Sequence, residues 1–193
     1  MKEDFQFSYA STQLNFVPKS AQKILMEQPE LRQQFIGAFD LYKMENKLVL
    51  DEVIRIFTSL AIPSGSSDRF ADWPMYARAV HSFHHKPWFS SVAIQMEASG
   101  QDEVTSYGEM RLLFKVNVIS EDGEKLCKEL VFLRMYKEVP ANHLSRLVGC
   151  PELVWQSLPT AYVVFEIANI LRAIHVVPNF SKVGHFFLNK YKF

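Results

Sequence analysis

Glycine is scarce in this sequence, seven in 193 residues, and none falls in a G-x-x-x-x-G-K, G-x-G-x-x-G or G-x-S-x-G spacing. Phosphate cradles and nucleophile elbows depend on those spacings, so neither is indicated. Cysteine numbers two, Cys127 and Cys150, with no C-x-x-C. A disulfide framework or a four-ligand zinc site needs more, and both thiols read as plain buried or edge residues. Neither charge is in excess: 21 Lys and Arg face 21 Asp and Glu, and the pI is near 7.0. A chain that coats nucleic acid non-specifically carries a basic surplus, so only a local basic patch stays open. Long apolar runs are missing too. A membrane span takes about 20 residues, and the longest candidate, 161–178, is interrupted by Glu166, Asn169, Arg172 and His175. Met1 leads into Lys2, Glu3 and Asp4 without the apolar core of a secretory leader. The expectation is a reducing compartment, cytosol or nucleus, and no membrane partner.

What is present is core material. Hydrophobic residues make up 48%, and sixteen Phe carry no polar handle, enough for one domain with an appendage. Residues 1–19 lack periodicity, but Phe5, Phe7, Tyr9 and Phe16 mark a segment that docks. Three helices are expected next. The first starts after Ser20 as N-cap and runs to about Gln28. The second opens at Pro29 with the stripe Leu31, Phe35, Ala38, Phe39 and Tyr42. The third is capped by Asn46 and carries Val49, Val53, Ile56, Phe57 and Leu60. Residues 63–67, Pro-Ser-Gly-Ser-Ser, have linker composition. The chain therefore divides into a helical extension, 1–67, and a β domain, 68–193. A short helix is possible at 75–80.

From Trp88 the period becomes two. Residues 88–96 read as a strand. Residues 107–119 place Met110, Leu112, Phe114, Val116 and Val118 on one face and Glu109, Arg111, Lys115 and Asn117 on the other. Asp122-Gly123 is a hairpin signal, and 129–137 is the return strand, with Leu130, Phe132, Arg134 and Tyr136 on one face. Counting outward from the turn pairs Tyr107 near residue 138, within reach of Tyr136. Shorter strands are expected at 153–156, 162–165, 173–177 and 186–191. The fold class is α+β: a helical N-terminal part, then a small, mostly antiparallel β-barrel or sandwich.

Catalytic constellations are thin. His81, His84 and His85 form H-x-x-H-H, without a Cys or carboxylate of matching spacing, and Pro87 ends any helix there. The pairs Asp51-Glu52 and Glu121-Asp122 sit where solvation explains them. The expectation is a non-enzymatic chain without cofactor or metal. The amphipathic rings Trp73, Trp88, Trp155, Tyr76, Tyr107, Tyr136 and Tyr162 are the notable feature, since such rings recur in binding pockets. At the C-terminal end Lys182, His185, Lys190 and Lys192 alternate with Phe186, Phe187, Tyr191 and Phe193. That pattern holds a nucleic-acid backbone or guards an edge strand.

Four strings resemble the bromo-adjacent homology (BAH) domain in order. YGEMRLLF at 107–114 looks like that family's Y-A-R-I-x-x-I-F strand, and LVFLRMYK at 130–137 is similar to its V-x-W-F-Y-R-P-E-E strand. PELVWQS at 151–157 resembles its N-E-L-F-L-S segment, and ANILRAIHVV at 168–177 its x-x-x-I-x-G-K-C-x-V. Arg134 stands where the family's second strand has Trp, and Glu138-Val139-Pro140 replaces its Pro-Glu-Glu. The resemblance implies a BAH-like β domain, a nuclear chromatin- or protein-binding role, and a protein or histone-tail peptide as partner. Methyl-lysine readers of the family take cage rings from the first two strands, which implies Tyr107 and Tyr136 as ligand-binding residues, and Trp155 is expected to join them as a third ring. A looser similarity joins KPWFSSVAI at 86–94, HVVPNF at 175–180 and FLNKY at 187–191 to the C-terminal parts of proteins encoded by large eukaryotic DNA transposons. It implies an accessory domain that binds DNA, with Arg134, Lys182, Lys190 and Lys192 on phosphate.

Overall fold

A computed structural model of the chain describes residues 14–16, 29–51, 54–57, 59–62, 75–83, 86–97, 103–141 and 149–189. The structure is mostly antiparallel β-sheet with one helix among these residues. That helix, α1 (Pro29–Glu45), starts at the expected proline, and Leu31, Phe35, Phe39 and Tyr42 are buried as the stripe requires. The expected first helix, 20–28, lies outside the described residues, as does the 63–67 segment. None of the described helix is long and apolar enough to cross a membrane.

The third helix does not form. Asn46 caps the end of α1 instead, its amide donating 2.8 Å to the Tyr42 carbonyl. Lys47 takes a left-handed φ of 52°, and the Leu48 N–H returns to the Lys43 carbonyl, a C-terminal cap. The chain then runs through β2 (Val49–Leu50), β3 (Ile54–Phe57) and β4 (Ser59–Ile62). Of the expected stripe Ile56 and Leu60 are buried while Val49 is exposed, and the buried residues alternate instead: Ile54 with Ile56, and Leu60 with Ile62. β-branched side chains favour that outcome. β1 (Leu14–Phe16) pairs antiparallel with β3, so part of the N-terminal segment does dock.

The helix expected at 75–80 is likewise a strand, β5 (Met75–Phe83), and the single strand expected from Trp88 is two: β6 (Lys86–Phe89) and β7 (Ser91–Glu97). Ser90 separates them. Its N–H and hydroxyl oxygen bond the Arg78 backbone at 2.8 and 2.9 Å, ending the β5 pairing so that β7 can join another sheet. β4, β5 and β6 form a three-stranded sheet.

The larger sheet is built on a long hairpin, β8 (Glu103–Ile119) and β9 (Lys125–Glu138), turned at Gly123 with φ +81°. β10 (Glu152–Trp155), β11 (Tyr162–Glu166), β12 (Ile170–Pro178) and β13 (His185–Asn189) fall close to the expected strands. β8 pairs with β7, β7 with β12, β12 with β13, β13 with β10, β10 with β9, and β9 with β8. The pairings of six strands thus close on themselves.

Two apolar layers flank the hairpin. On one side α1 lies over Leu112, Phe114, Val116, Val118, Leu130 and Phe132, with Phe35 edge-on to both Phe114 and Phe132 at 5.4 Å. On the other, Leu60, Ile62, Ala77 and Ala79 of the small sheet cover Val92, Ile94, Met110, Leu113, Val131 and Leu133. Met110 therefore does not share a face with Leu112, contrary to the expected alternation. The cause is a bulge: Met110 opposes Leu133 and Leu112 opposes Phe132, leaving Arg111 as an extra residue on β8. Beyond it Gly108 sits so close to β9 that a Cβ there would lie 3.2 Å from the Leu133 Cβ.

Candidate functional site

The bulge decides the register at the far end of the hairpin. Without it, the Ile119–Lys125 pairing extrapolates to Tyr107 opposite Lys137. With it, Tyr107 opposes Tyr136. On the next strand Tyr136 opposes Trp155. Directly opposed residues of antiparallel strands share a face, so the three rings expected to bind ligand lie in one row across β8, β9 and β10.

Their environments differ. Tyr136 is 6% exposed, and its hydroxyl lies 3.2 Å from the Ser91 hydroxyl on β7. Burial pushes its pKa up to about 12. Tyr107 and Trp155 are half-buried. Trp155 stacks on Tyr136 with centroids 4.3 Å apart and planes at 15°, and Phe186 of β13 meets both rings edge-on at 5.5 and 5.1 Å. Leu153, Leu188, Ile174 and Val176 complete the cluster. With Ser91, all six strands of the closed circuit contribute to it.

A cation already lies on the indole. The guanidinium carbon of Arg134 is 4.0 Å from the Trp155 centroid and 6.0 Å from that of Tyr162. Arg134 opposes Glu109 across the hairpin, and Glu109 contacts the Arg111 guanidinium at 2.5 Å. That contact is an ion pair without hydrogen-bond geometry: Glu109 Oε1, like Arg134 Nε, is buried with no directed hydrogen bond. Desolvation raises the Glu109 pKa, against the downward pull of Arg111 and Arg134. Arg111 rests on the Phe89 ring at 4.6 Å. Burial also raises the Tyr107 pKa, aided by Glu138 and opposed by Arg172. The guanidiniums of Arg111 and Arg134, the Glu109 carboxylate and the rings on which the two arginines rest therefore gather at this end of the hairpin.

The other expected residues are elsewhere. Lys182 is exposed on the turn between β12 and β13. Lys190 and Lys192 lie outside the described residues, as do His84 and His85, and the His81 side chain is not described. Among the described residues no three His, Cys, Asp or Glu side chains gather as a metal site would need. Cys127 is exposed on β9 beside a shallow cleft of about 320 Å³ lined by Leu126, Lys128, Glu129, Glu166 and Ala168. Glu166 there is engaged by the Tyr42 hydroxyl at 3.0 Å and by Lys128 Nζ at 2.6 Å, which ties α1 to the sheet. Tyr42 has its pKa raised by burial and by Glu166. Glu152, 3% exposed, pairs with His185 Nδ1 at 2.7 Å between β10 and β13.

Sequence reasoning missed Glu109 and Arg111, because alternation set both on the polar face opposite Met110 and Leu112. The usable signal was the hairpin count itself: it put Glu109 within two residues of Arg134, and a carboxylate near two arginines is seldom simple surface.

Comparison with known proteins finds no matching family model, no matching curated protein and no matching solved structure.

Proposed function

We propose that the chain is a non-enzymatic nuclear interaction module, a BAH-like barrel formed by the six-strand circuit, that binds a protein or histone-tail peptide at the Tyr107–Tyr136–Trp155 row. The observation that carries this reading is the cation seated on the indole. The electron-rich face of Trp155 holds a guanidinium at 4.0 Å, the contact a peptide cation makes with an aromatic surface. A methylated ammonium entering the row competes with Arg134 for that face. Tyr107 supplies a second half-buried ring at the other end of the row, across Tyr136, and Glu109 supplies negative charge to draw a cation in. The four BAH-like strings fall on β8, on β9, from Pro151 through β10 to Ser157, and on the 168–177 segment that runs into β12, which supports the same scaffold.

Tyr136 is a poor residue to test by truncation, because it is buried and bonded to Ser91. Trp155→Ala removes the cation's seat from the surface side. Histone-tail peptides, methylated and unmodified, titrated against both proteins should bind the wild type, the methylated one more tightly. Trp155→Ala should weaken the methylated peptide roughly tenfold, as a cation–π contribution of about 1–2 kcal/mol requires. Equal binding by wild type and variant, or no binding of either peptide by the wild type, would sink this reading.

A further inference from the structure

We infer that Arg134 is a receptor for a carboxylate, so that the peptide taken by the row carries an acidic residue two positions from its methylated lysine. This rests on the peptide-binding reading above and names the partner's second side chain. Arg134 occupies a junction in the sheet. β9 pairs with β11 as far as Arg134, which opposes Tyr162, and with β10 from Tyr136, which opposes Trp155. At the junction the Met135 carbonyl accepts from the Gln156 N–H, and the Met135 N–H donates to the Ala161 carbonyl. The guanidinium is thereby flanked by one ring from each strand, 4.0 Å from the Trp155 centroid and 6.0 Å from that of Tyr162.

An aromatic ring engages the face of a guanidinium and leaves its in-plane N–H fork for an anion. Arg134 is half-buried, and its Nε is buried with no hydrogen-bond partner. Among the described residues no carboxylate forms an ion pair with it. Glu109 stands opposite, but its carboxylate pairs with Arg111. The connection 157–160, Ser-Leu-Pro-Thr, is exposed and has no charged side chain to offer. A partly desolvated cation without a counter-ion is unfavourable, and an anion from outside the chain completes it. A carboxylate matches the planar fork with two parallel hydrogen bonds. A phosphate dianion matches it as well but meets stronger repulsion from Glu109, so the occupant is taken as a carboxylate.

Entry of the methylated lysine makes the need greater. An ammonium that takes the Trp155 face moves Arg134 off it, and the displaced guanidinium requires a new partner. An acidic side chain on the same peptide provides one. Residues i and i+2 of an extended peptide lie on one face ~6.6 Å apart, a spacing that sets the ammonium on Trp155 and the carboxylate beside a guanidinium still facing Tyr162.

The test is anisotropy of short fluorescein-labelled peptides titrated with the full chain. Each carries a central trimethyl-lysine and, two residues beyond it, Glu, Gln or phosphoserine, on an otherwise uncharged sequence. The Glu peptide should bind the wild type roughly tenfold more tightly than the Gln peptide, as one charge-assisted hydrogen-bonded pair requires. Moving Glu next to the lysine, and so to the opposite face, should erase that gain. Arg134→Gln clears the indole of its resident cation. It should bind the Gln peptide no more weakly than the wild type does and show no preference for Glu, whereas loss of a purely structural arginine would weaken both peptides alike. The wild-type comparisons decide the matter even where the variant fails to fold. Equal binding of the Glu and Gln peptides by the wild type, or a preference for Glu that survives in Arg134→Gln, overturns the inference. The peptide-binding reading survives either result when the trimethylated Gln peptide still binds more tightly than its unmethylated counterpart; binding of no peptide overturns both. Tighter binding of the phosphoserine peptide overturns the assignment to a carboxylate.

Discussion

The two ends of the β8–β9 hairpin are made from the same strand pair and put to opposite uses. At the turn end, one face carries Leu112, Phe114, Val116, Leu130 and Phe132 under α1, all 0–1% exposed. At the far end, the same face of β9 carries Arg134 and Tyr136, facing Glu109 and Tyr107. Folding alone explains the first arrangement, because burial of apolar area drives it. It does not explain the second, where one carboxylate oxygen of Glu109 and the Nε of Arg134 are buried without a directed hydrogen bond. Replacing such a pair by apolar side chains is often neutral or stabilising. Stability alone therefore does not account for these charges, which lie at the row proposed to bind ligand.

That contrast can be broken by measurement. Phe132→Ala, at the centre of the turn-end cluster, should cost about 3–5 kcal/mol in chemical denaturation. Trp155→Ala at the other end should cost about 2 kcal/mol, the low end for two aromatic pairs and one cation–π contact. Equal losses would erase the distinction between the core end and the end proposed to bind.

Tyr136 sharpens it. Its folded pKa lies above the ordinary value of 10.0, at about 12, so the unfolded chain ionises first. Stability from this group is complete below pH 10 and lost as pH rises from 10 through 12, by roughly 2–3 kcal/mol. Tyr136→Phe should flatten that alkaline fall and forfeit only the bond to Ser91, about 1 kcal/mol at neutral pH. An unchanged alkaline slope would contradict the buried phenol.

Glu109 gives the next effect in size. Its folded pKa is also raised, so its contribution is greatest at acid pH and declines as pH rises through that folded value. Glu109→Gln should remove that decline from a pH series of denaturation midpoints. The smallest effect belongs to the turn end's surface: Lys47→Ala breaks an exposed pair with Glu121 and should change stability by less than about 0.5 kcal/mol.

Much of the turn end was legible in the sequence. The stripe of α1 identified Phe35, Phe39 and Tyr42, and Asp122-Gly123 announced the hairpin, because both signals are local. The 46–62 segment was not legible as strand, since Val49, Val53, Ile56, Phe57 and Leu60 fit a helical stripe while Ile54, Ile56, Leu60 and Ile62 fit an alternating one, and only pairing with β8 and β5 decides between them. The row Tyr107–Tyr136–Trp155 was half legible. Hairpin counting brought Tyr107 near Tyr136, but the partnership with Trp155 depends on β10 pairing with β9, which no local pattern encodes. The seat of Arg134 on the indole depends on that same pairing.

Arg111 and Gly108 together set how much length variation this hairpin tolerates. Suppose evolution or an engineer removed the single codon for Arg111. Leu112 already opposes Phe132 and Met110 opposes Leu133, so the ladder would close up with every pairing kept, and Tyr107 would still face Tyr136. What would go is the guanidinium beside Glu109. The hairpin therefore carries one residue of spare length at this point. Gly108 has no such slack: even a methyl carbon there meets Leu133 and Met135 at 3.2 Å and would have to push them aside.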